Sequence, residues 1–140
     1  MSTQKVTLRV YRGDAESGEL KDYTVEVSEG MVVLDAVHQI QATQAPDLAC
    51  RWNCKAGKCG SCSAEINGKP RLMCMTRMVD AIKTAAGGPI LVKPMKTFPH
   101  IKDLVTDVGQ NYRNNKKITP FRPAPKGADG EWKIFQYEID

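Results

Sequence analysis

The distribution of cysteine is the feature that most restricts how this chain folds. All five cysteines of the 140 residues lie between Cys50 and Cys74. A disulfide framework would spread its cysteines over distant segments, and an odd number cannot all pair within one chain. The N-terminal stretch MSTQKVTLRV has neither a secretory apolar core nor an Arg/Ser-rich transit pattern, so we expect a reducing compartment. Clustered thiols in such a compartment predict a metal centre.

The spacing of these cysteines favours one cofactor. Four residues separate Cys54 from Cys59, two separate Cys59 from Cys62, and eleven separate Cys62 from Cys74. This C-x4-C-x2-C…C order is the plant-type spacing for a [2Fe–2S] cluster, which takes two thiolates on each iron. Glycines between the cysteines would let the loop curl so that backbone N–H groups face the sulfurs. We therefore predict a [2Fe–2S] site, with Cys50 outside the ligand set as a small buried residue or an incidental thiol.

A structural zinc site remains the main alternative, because four cysteines also bind Zn²⁺. Zinc sites usually pair two C-x2-C units, however, and here Cys59 and Cys62 form a single one. A thioredoxin-like redox pair at these two positions is disfavoured, since the motif does not open a helix in a βαβ unit. A Rieske centre is excluded, because the sequence has no paired Cys-x-His ligands and we expect His38 and His100 to lie far from the cysteine loop.

Hydrophobic periodicity places strands and a helix before the cysteine loop. Lys5–Arg12 and Lys21–Val27 carry an apolar residue at every second position, which predicts a β-hairpin with a long polar loop. From Val33 the apolar spacing changes to that of a helix, which fades before Pro46. The cysteine loop follows directly.

A second hairpin and a further strand follow the loop. Asn67-Gly68 is a strong hairpin signal, and Pro70 restricts the return strand to an edge or its start. Ile90–Lys93 is nearly all apolar, as in a strand buried on both faces. The order strand, strand, helix, loop, hairpin, strand over residues 1–103 fits a small mixed sheet over one helix, of β-grasp type. Periodicity alone establishes only the α+β class.

For the remaining residues, 104–140, the sequence pattern predicts a helix and a connector. Apolar positions at helical spacing predict an amphipathic helix beginning after Pro99. The stretch TPFRPAPKGADG is rich in proline and glycine and predicts an extended connector. Three aromatic residues near the C-terminus have no evident packing partner, which favours a partner or a further domain. The helix positions are Ile101, Leu104, Val105, Val108 and Tyr112, and the aromatics are Trp132, Phe135 and Tyr137.

Several motifs together resemble one family. The stretch CKAGKCGSCSAEINGKPRLMC resembles the cluster loop of the iron–sulfur subunit of succinate dehydrogenase and fumarate reductase. VVLDAVHQI and TFPHIKDLVTDVGQNY resemble the segments before and after that loop, and the similarity extends from about Val6 to Pro123. The resemblance implies that the cluster takes electrons from, or returns them to, a flavoprotein subunit that carries FAD. It also implies the cluster ligands, which are Cys54, Cys59, Cys62 and Cys74.

The chain departs from the family pattern in two ways. The family commonly has Cys-Arg-Glu-Gly where this chain has Cys54-Lys55-Ala56-Gly57, and Lys58 adds a further positive charge. Because positive charge favours the reduced cluster, we expect a higher reduction potential than in a Glu-bearing relative. The family subunit also has a second domain with two more clusters, and no cysteine follows Cys74 here. The resemblance then implies the N-terminal 2Fe-2S ferredoxin-like domain, residues 1–103, and its connector, as a truncated subunit, a split gene product or a free-standing ferredoxin.

These observations predict an electron-transfer protein with no catalysis of its own. The alternatives are a free-standing ferredoxin serving another oxidoreductase, a structural zinc module and a thiol redox protein. The resemblance implies a flavoprotein partner, indirect association with membrane-anchor subunits, and a peripheral location on the cytoplasmic face of a bacterial inner membrane. The net charge of +4 is too diffuse to indicate nucleic acid binding, and no apolar run reaches the roughly 20 residues of a spanning helix.

Overall fold

The structure is a computed structural model that describes residues 3–119 and 126–130. These residues contain seven strands and three helices. In chain order they are β1 (Gln4–Gly13), β2 (Gly18–Val27), α1 (Val33–Thr43), β3 (Ser63–Ile66), β4 (Lys69–Leu72), α2 (Met78–Thr84), β5 (Ile90–Lys93), β6 (His100–Lys102), β7 (Val105–Thr106) and α3 (Gly109–Lys117).

Five of the strands form one mixed sheet in the order β2-β1-β5-β3-β4. β1 pairs with β2 in antiparallel and with β5 in parallel orientation, while β3 is antiparallel to both β5 and β4. The first hairpin is confirmed, although its connection is shorter than the sequence predicts. The carboxylate of Asp14 accepts the N–H groups of Glu16 and Ser17, both at 2.9 Å, so the strands extend to Gly13 and Gly18.

α1 packs its apolar residues into the core that also contains the inward side chains of the sheet. Leu34 and Ile40 of the helix are buried together with Leu8 of β1 and Ile90 of β5. The carboxylate of Asp35 accepts the Val32 N–H at 3.1 Å and so stabilises the start of the helix. The α+β, β-grasp prediction is confirmed.

The elements after the cysteine loop also follow the prediction in their pairing. Asn67 and Gly68 form the turn between β3 and β4, and the strand with Pro70 lies at the sheet edge. β5 is the central strand, but its burial alternates. Ile90 and Val92 are buried, whereas Leu91 is half-buried.

The helix predicted to begin after Pro99 is wrong over its first half. β6 and β7 form a short hairpin there, and the helix α3 begins only at Gly109. Asp103 in the turn has φ 48°, a left-handed conformation that a right-handed helix cannot include. Leu104 is buried while Ile101 is 50% exposed, so the apolar positions do not share one face.

The helix α2 was not predicted from the sequence. Met78 and Ala81 are its buried residues, and a helix this short gives little hydrophobic periodicity in the sequence. Asp80 in the first turn and Lys83 in the last turn complement the helix dipole. Left-handed residues at Ala86 and Gly87 follow its end.

The chain divides into two compact units, Met1–Val108 and Gly109–Asp140. Residues 104–108, which the sequence grouped with the predicted helix and connector, lie in the first unit. Most of the predicted connector, and the aromatics Trp132, Phe135 and Tyr137, lie outside the described residues. Among the residues that are described, no helix has the length and apolar character needed to cross a membrane.

Candidate metal centre

The cysteine loop lies between α1 and β3 and has no regular secondary structure from Cys50 to Cys62. Its backbone turns through the left-handed region three times, with φ 55° at Lys55, 70° at Gly57 and 72° at Gly60. Such turns direct successive peptide N–H groups toward one side of a loop. A non-glycine residue in this region, such as Lys55, is strained and marks a place where the surrounding structure imposes the conformation.

The N–H groups of the loop point at cysteine sulfurs. Cys54 Sγ accepts three of them, from Ala56, Lys58 and Cys59, each at 3.3 Å. Cys59 Sγ accepts the Ser61 N–H at 3.4 Å. Cys62 Sγ accepts the Cys74 N–H at 3.5 Å. Hydrogen bonds of this kind stabilise negative charge on sulfur, so the loop is built to hold thiolates.

The four thiols predicted as ligands are brought together as two pairs. The Cys54 side chain interacts with that of Cys59, and the Cys62 side chain interacts with that of Cys74. The first pair lies at the surface, where Cys59 is exposed and Cys54 half-buried, while Cys62 and Cys74 are buried. Within residues 3–119 and 126–130, no three His, Cys, Asp or Glu side chains surround a single metal-ion position.

The thiols of the surface pair ionise more easily than that of Cys62. Backbone N–H groups, with that of Ala56 foremost, lower the pKa of Cys54. The Ser61 hydroxyl is the largest cause that lowers the pKa of Cys59, to about 6. Burial raises the pKa of Cys62 instead. A buried thiol of this kind is deprotonated when a metal cation binds it, so the donor set fits an iron centre with two thiolates on each metal.

Cys50 differs from the other four cysteines. Its side chain is half-buried against the hydrophobic core, and burial raises the pKa of its thiol to about 12. Its Sγ contacts the carbonyl oxygen of Arg51, at 3.9 Å. Its position outside the ligand set stays a prediction.

Exposed side chains lie in and against the cysteine loop that carries the surface pair of thiols. Trp52 is 47% exposed and Met75 is 61% exposed. Lys55 Nζ lies 4.8 Å from the centre of the Trp52 ring, and the His38 ring contacts Trp52 edge-on at 4.9 Å between centroids. The expectation that His38 lies far from the loop is therefore wrong, because α1 packs beside the loop. We call Trp52, Lys55, Lys58 and Met75 the loop rim.

The sequence predicts that backbone N–H groups face the sulfurs, and the structure identifies the donors to Cys54 as Ala56, Lys58 and Cys59. Sequence reasoning missed Met75 and His38 as neighbours of the loop. Met75 packs directly on the loop, since a Cβ on Gly57 would lie 2.9 Å from its Cγ. His38 could have been found only from the packing of α1.

Comparison with known proteins agrees with this site. A family described as the 2Fe-2S iron-sulfur cluster binding domain matches residues 7–113. The chain belongs to this family, and a [2Fe–2S] cluster is its cofactor.

Similar proteins extend the comparison. The fumarate reductase iron-sulfur subunit of Mycobacterium tuberculosis is 34% identical over 134 residues, which cover 93% of this chain and 53% of the relative. The mitochondrial succinate dehydrogenase [ubiquinone] iron-sulfur subunit 1 of rice, Oryza sativa, is 36% identical over 120 residues, covering 82% of this chain and 41% of the relative. A chain in the Mycobacterium smegmatis Sdh1 complex in the apo form is 56% identical with a TM-score of 0.83, and the match covers 96% of this chain and 55% of that one.

These matches confirm three predictions from the sequence: the family resemblance, the fold and the cofactor. The chain spans about half the length of the curated relatives it matches. The assignment of Cys54, Cys59, Cys62 and Cys74 as ligands stays a prediction that the geometry supports.

Proposed function

We propose that this chain relays single electrons as the iron–sulfur subunit, or part of that subunit, of a succinate dehydrogenase or fumarate reductase complex. Its partner in the proposal is the flavoprotein subunit, which carries FAD. The names of its relatives support the proposal, and so does the resemblance of its cysteine loop. The observation that carries it is the surface thiol pair, Cys54 and Cys59, with backbone N–H groups directed at both sulfurs.

The residues proposed to hold the cofactor are Cys54, Cys59, Cys62 and Cys74. A [2Fe–2S] cluster bound there supplies one-electron oxidation and reduction. The N–H groups of Ala56, Lys58 and Cys59 stabilise negative charge on the Cys54 sulfur. The buried pair, Cys62 and Cys74, anchors the site in the core, and the surface pair leaves one side open to a partner.

The loop rim is the proposed contact for the flavoprotein. An exposed tryptophan held by two neighbours is a typical interface anchor, because it loses little conformational freedom on binding. Trp52 has this character, since His38 and Lys55 contact its ring. The positive charges of Lys55 and Lys58 fit a partner surface with acidic residues around an apolar pocket.

The first experiment establishes the cofactor and its ligands. Visible absorption and EPR spectra of the anaerobically purified chain are recorded before and after dithionite, and iron and zinc are quantified. We expect a red-brown protein with two iron atoms per chain and a rhombic EPR signal on reduction. Cys54→Ala and Cys74→Ala should lose iron, while the matched control Cys50→Ala should retain it. A colourless protein with stoichiometric zinc would contradict the proposal, and loss of iron in Cys50→Ala would contradict the ligand assignment.

The second experiment tests the partner. The flavoprotein subunit from the same source is mixed with the iron-loaded chain, and reduction of the cluster by succinate is followed by EPR. We expect binding and reduction, with Trp52→Ala weakening binding by about tenfold or more. Leu20→Ala, which truncates a side chain 43% exposed on β2, should have no effect. An iron-loaded chain that neither binds the flavoprotein nor is reduced would favour the free-standing ferredoxin instead.

The proposed location is the cytoplasmic face of the bacterial inner membrane, with attachment through partner subunits. The test is fractionation of cells with and without the membrane-anchor subunits of the complex. We expect the chain in the membrane fraction when the anchors are present and in the supernatant when they are deleted. An unchanged distribution would contradict this location.

A further inference from the structure

Asp103 joins three separate parts of the first unit, although it lies far from the cysteines in sequence. It is 1% exposed, and each of its carboxylate oxygens accepts one backbone N–H. Oδ1 accepts from Gly13 at 2.9 Å, and Oδ2 accepts from Ala49 at 2.8 Å. Gly13 ends β1, while Ala49 immediately precedes Cys50. One buried carboxylate therefore fixes the beginning of the cysteine loop relative to the sheet.

The backbone around Asp103 repeats the same two connections. The Asp103 N–H donates to the Gly13 carbonyl at 2.7 Å, and the Leu104 N–H donates to the Ala49 carbonyl at 3.2 Å. The His100 ring contacts the Asp103 carbonyl through Nε2 at 2.8 Å. The left-handed φ of 48°, which aspartate tolerates better than most residues, lets backbone and carboxylate face the same neighbours.

Arg12 compensates the charge of this carboxylate. Its Nε lies 3.2 Å from Asp103 Oδ1, and its Nη2 binds Asp47 at 2.7 Å. Its Nη1 donates to the Tyr23 hydroxyl at 2.6 Å. Hydrogen bonds from N–H groups to a carboxylate are stronger than those between neutral groups, and a neighbouring cation offsets the cost of burying the carboxylate.

A second connection holds the other side of Cys50. Arg51 Nη1 donates to the Thr106 carbonyl at 3.0 Å. The β6–β7 hairpin thus binds both neighbours of Cys50, Ala49 through Asp103 and Arg51 through Thr106. We call residues 49–51 the loop arm. Cys54 follows the arm by three residues, so the position of the arm limits where Cys54 lies.

We propose that Asp103 is a positioning residue for the iron–sulfur cluster: by fixing the loop arm from the β6–β7 hairpin, it holds Cys54 in its binding position without contacting the metal. Arg51 also holds the loop arm, through its hydrogen bond to the Thr106 carbonyl, and contributes less than Asp103. This inference rests on the proposed ligand role of Cys54. Movement of the arm would displace Cys54, and Asp103 opposes that movement.

The test compares Asp103→Ala and Asp103→Asn with a matched control, Asn67→Ala. Asn67 also has a left-handed backbone, φ 50°, and its Oδ1 accepts the Leu91 N–H at 2.9 Å, but it holds the β3–β4 turn to β5. Asp103→Asn keeps the shape and loses an acceptor, because its NH₂ group must face one of the two N–H groups. Arg51→Met removes the hydrogen bond between Arg51 and Thr106. It tests the same inference if Asp103→Ala does not fold.

Three quantities are measured on each iron-loaded variant: urea unfolding, the rate of iron loss to a chelator, and the visible CD and reduced EPR spectra. We expect Asp103→Asn and Asp103→Ala to lose iron about tenfold or more faster than Asn67→Ala at comparable unfolding stability. We expect their CD and EPR spectra to change while those of Asn67→Ala do not, and Arg51→Met to show a smaller change in the same direction.

The opposite results separate the two proposals. If the Asp103 variants keep the spectrum of the unaltered chain and lose iron no faster than Asn67→Ala, Asp103 serves only the fold and the inference is overturned. If the unaltered chain itself holds no [2Fe–2S] cluster, the proposed function fails first.

Discussion

Replacing Gly60 by alanine tests whether the backbone of the cysteine loop, and not its thiols alone, holds the cluster. Gly60 has φ 72°, and an added Cβ would meet nothing within 4 Å. The effect of the substitution is therefore on the backbone alone. An L-residue loses about 1–2 kcal/mol in the left-handed region, which corresponds to a factor of roughly 5 to 30 in an equilibrium. Relaxation of this φ would displace the Ser61 N–H that lies 3.4 Å from Cys59 Sγ.

Gly68 provides the matched control. Its φ is 80°, a Cβ there also meets nothing within 4 Å, and it lies in the turn between β3 and β4. Gly60→Ala and Gly68→Ala should each reduce the free energy of unfolding by about 1–2 kcal/mol. Only Gly60→Ala should accelerate iron release, by roughly 5- to 30-fold.

Two assays on the iron-loaded protein decide whether the Gly60 backbone acts on the cluster site or only on the fold. Guanidinium unfolding followed by far-UV CD gives the stability, and visible absorbance in excess chelator gives the rate of iron release. Equal iron release in the two variants would refute the reasoning, because the strain would then act on the fold and not on the site. An undiminished stability in both would show that neither turn needs a left-handed residue.

Three further predictions concern charge, pH and the corrected hairpin. Lys55→Glu and Lys58→Glu should each lower the cluster potential in an EPR-monitored redox titration, while Lys69→Glu on β4 should not; an unchanged potential in the loop variants would contradict the expected effect of their charge. Hydrogen bonding to Arg9 lowers the pKa of Asp22 from its ordinary value of 3.8, so the pair stabilises the fold above that pH and loses its effect as pH falls through the lower folded-state pKa. Asp22→Asn should accordingly be less stable than the unaltered chain in urea at pH 7, and the difference should shrink as pH falls below 3.8; a difference that does not shrink would point to lost packing. Leu104→Ala removes a side chain only 4% exposed and should destabilise the first unit by about 2–5 kcal/mol in urea unfolding, whereas a change below about 0.5 kcal/mol would fit the exposed helix and not the hairpin.

Elements with a local signal could be predicted from the sequence. The alternation in β1 and β2, the Asn67-Gly68 turn and the apolar strand β5 each depend on residues within a few positions of one another. The cysteine spacing likewise indicated the class of cofactor, because ligands on one loop must be close in sequence. The length of the first connection was wrong because the Asp14 carboxylate tightens that turn.

Residues 100–108 could not be predicted locally. Ile101, Leu104 and Val105 have helical spacing, but Asp103 binds Gly13 and Ala49, which are 90 and 54 residues away. Those distant hydrogen bonds require a left-handed turn, and the turn excludes the helix. The contact of His38 with Trp52 was missed for the same reason, since it depends on where α1 packs.

The cysteine motif is therefore incomplete as a description of the site. Backbone N–H groups at the start of α1 bind the segment that carries Cys74. Val33 donates to Thr76 at 2.9 Å, and Leu34 donates to Met73 at 3.1 Å. The β6–β7 hairpin binds the opposite end of the motif through Asp103. Two elements outside the motif thus set the distance between its surface pair and its buried pair of thiols. It follows that substitutions in α1 or the hairpin should alter the cluster spectrum while every cysteine remains in place.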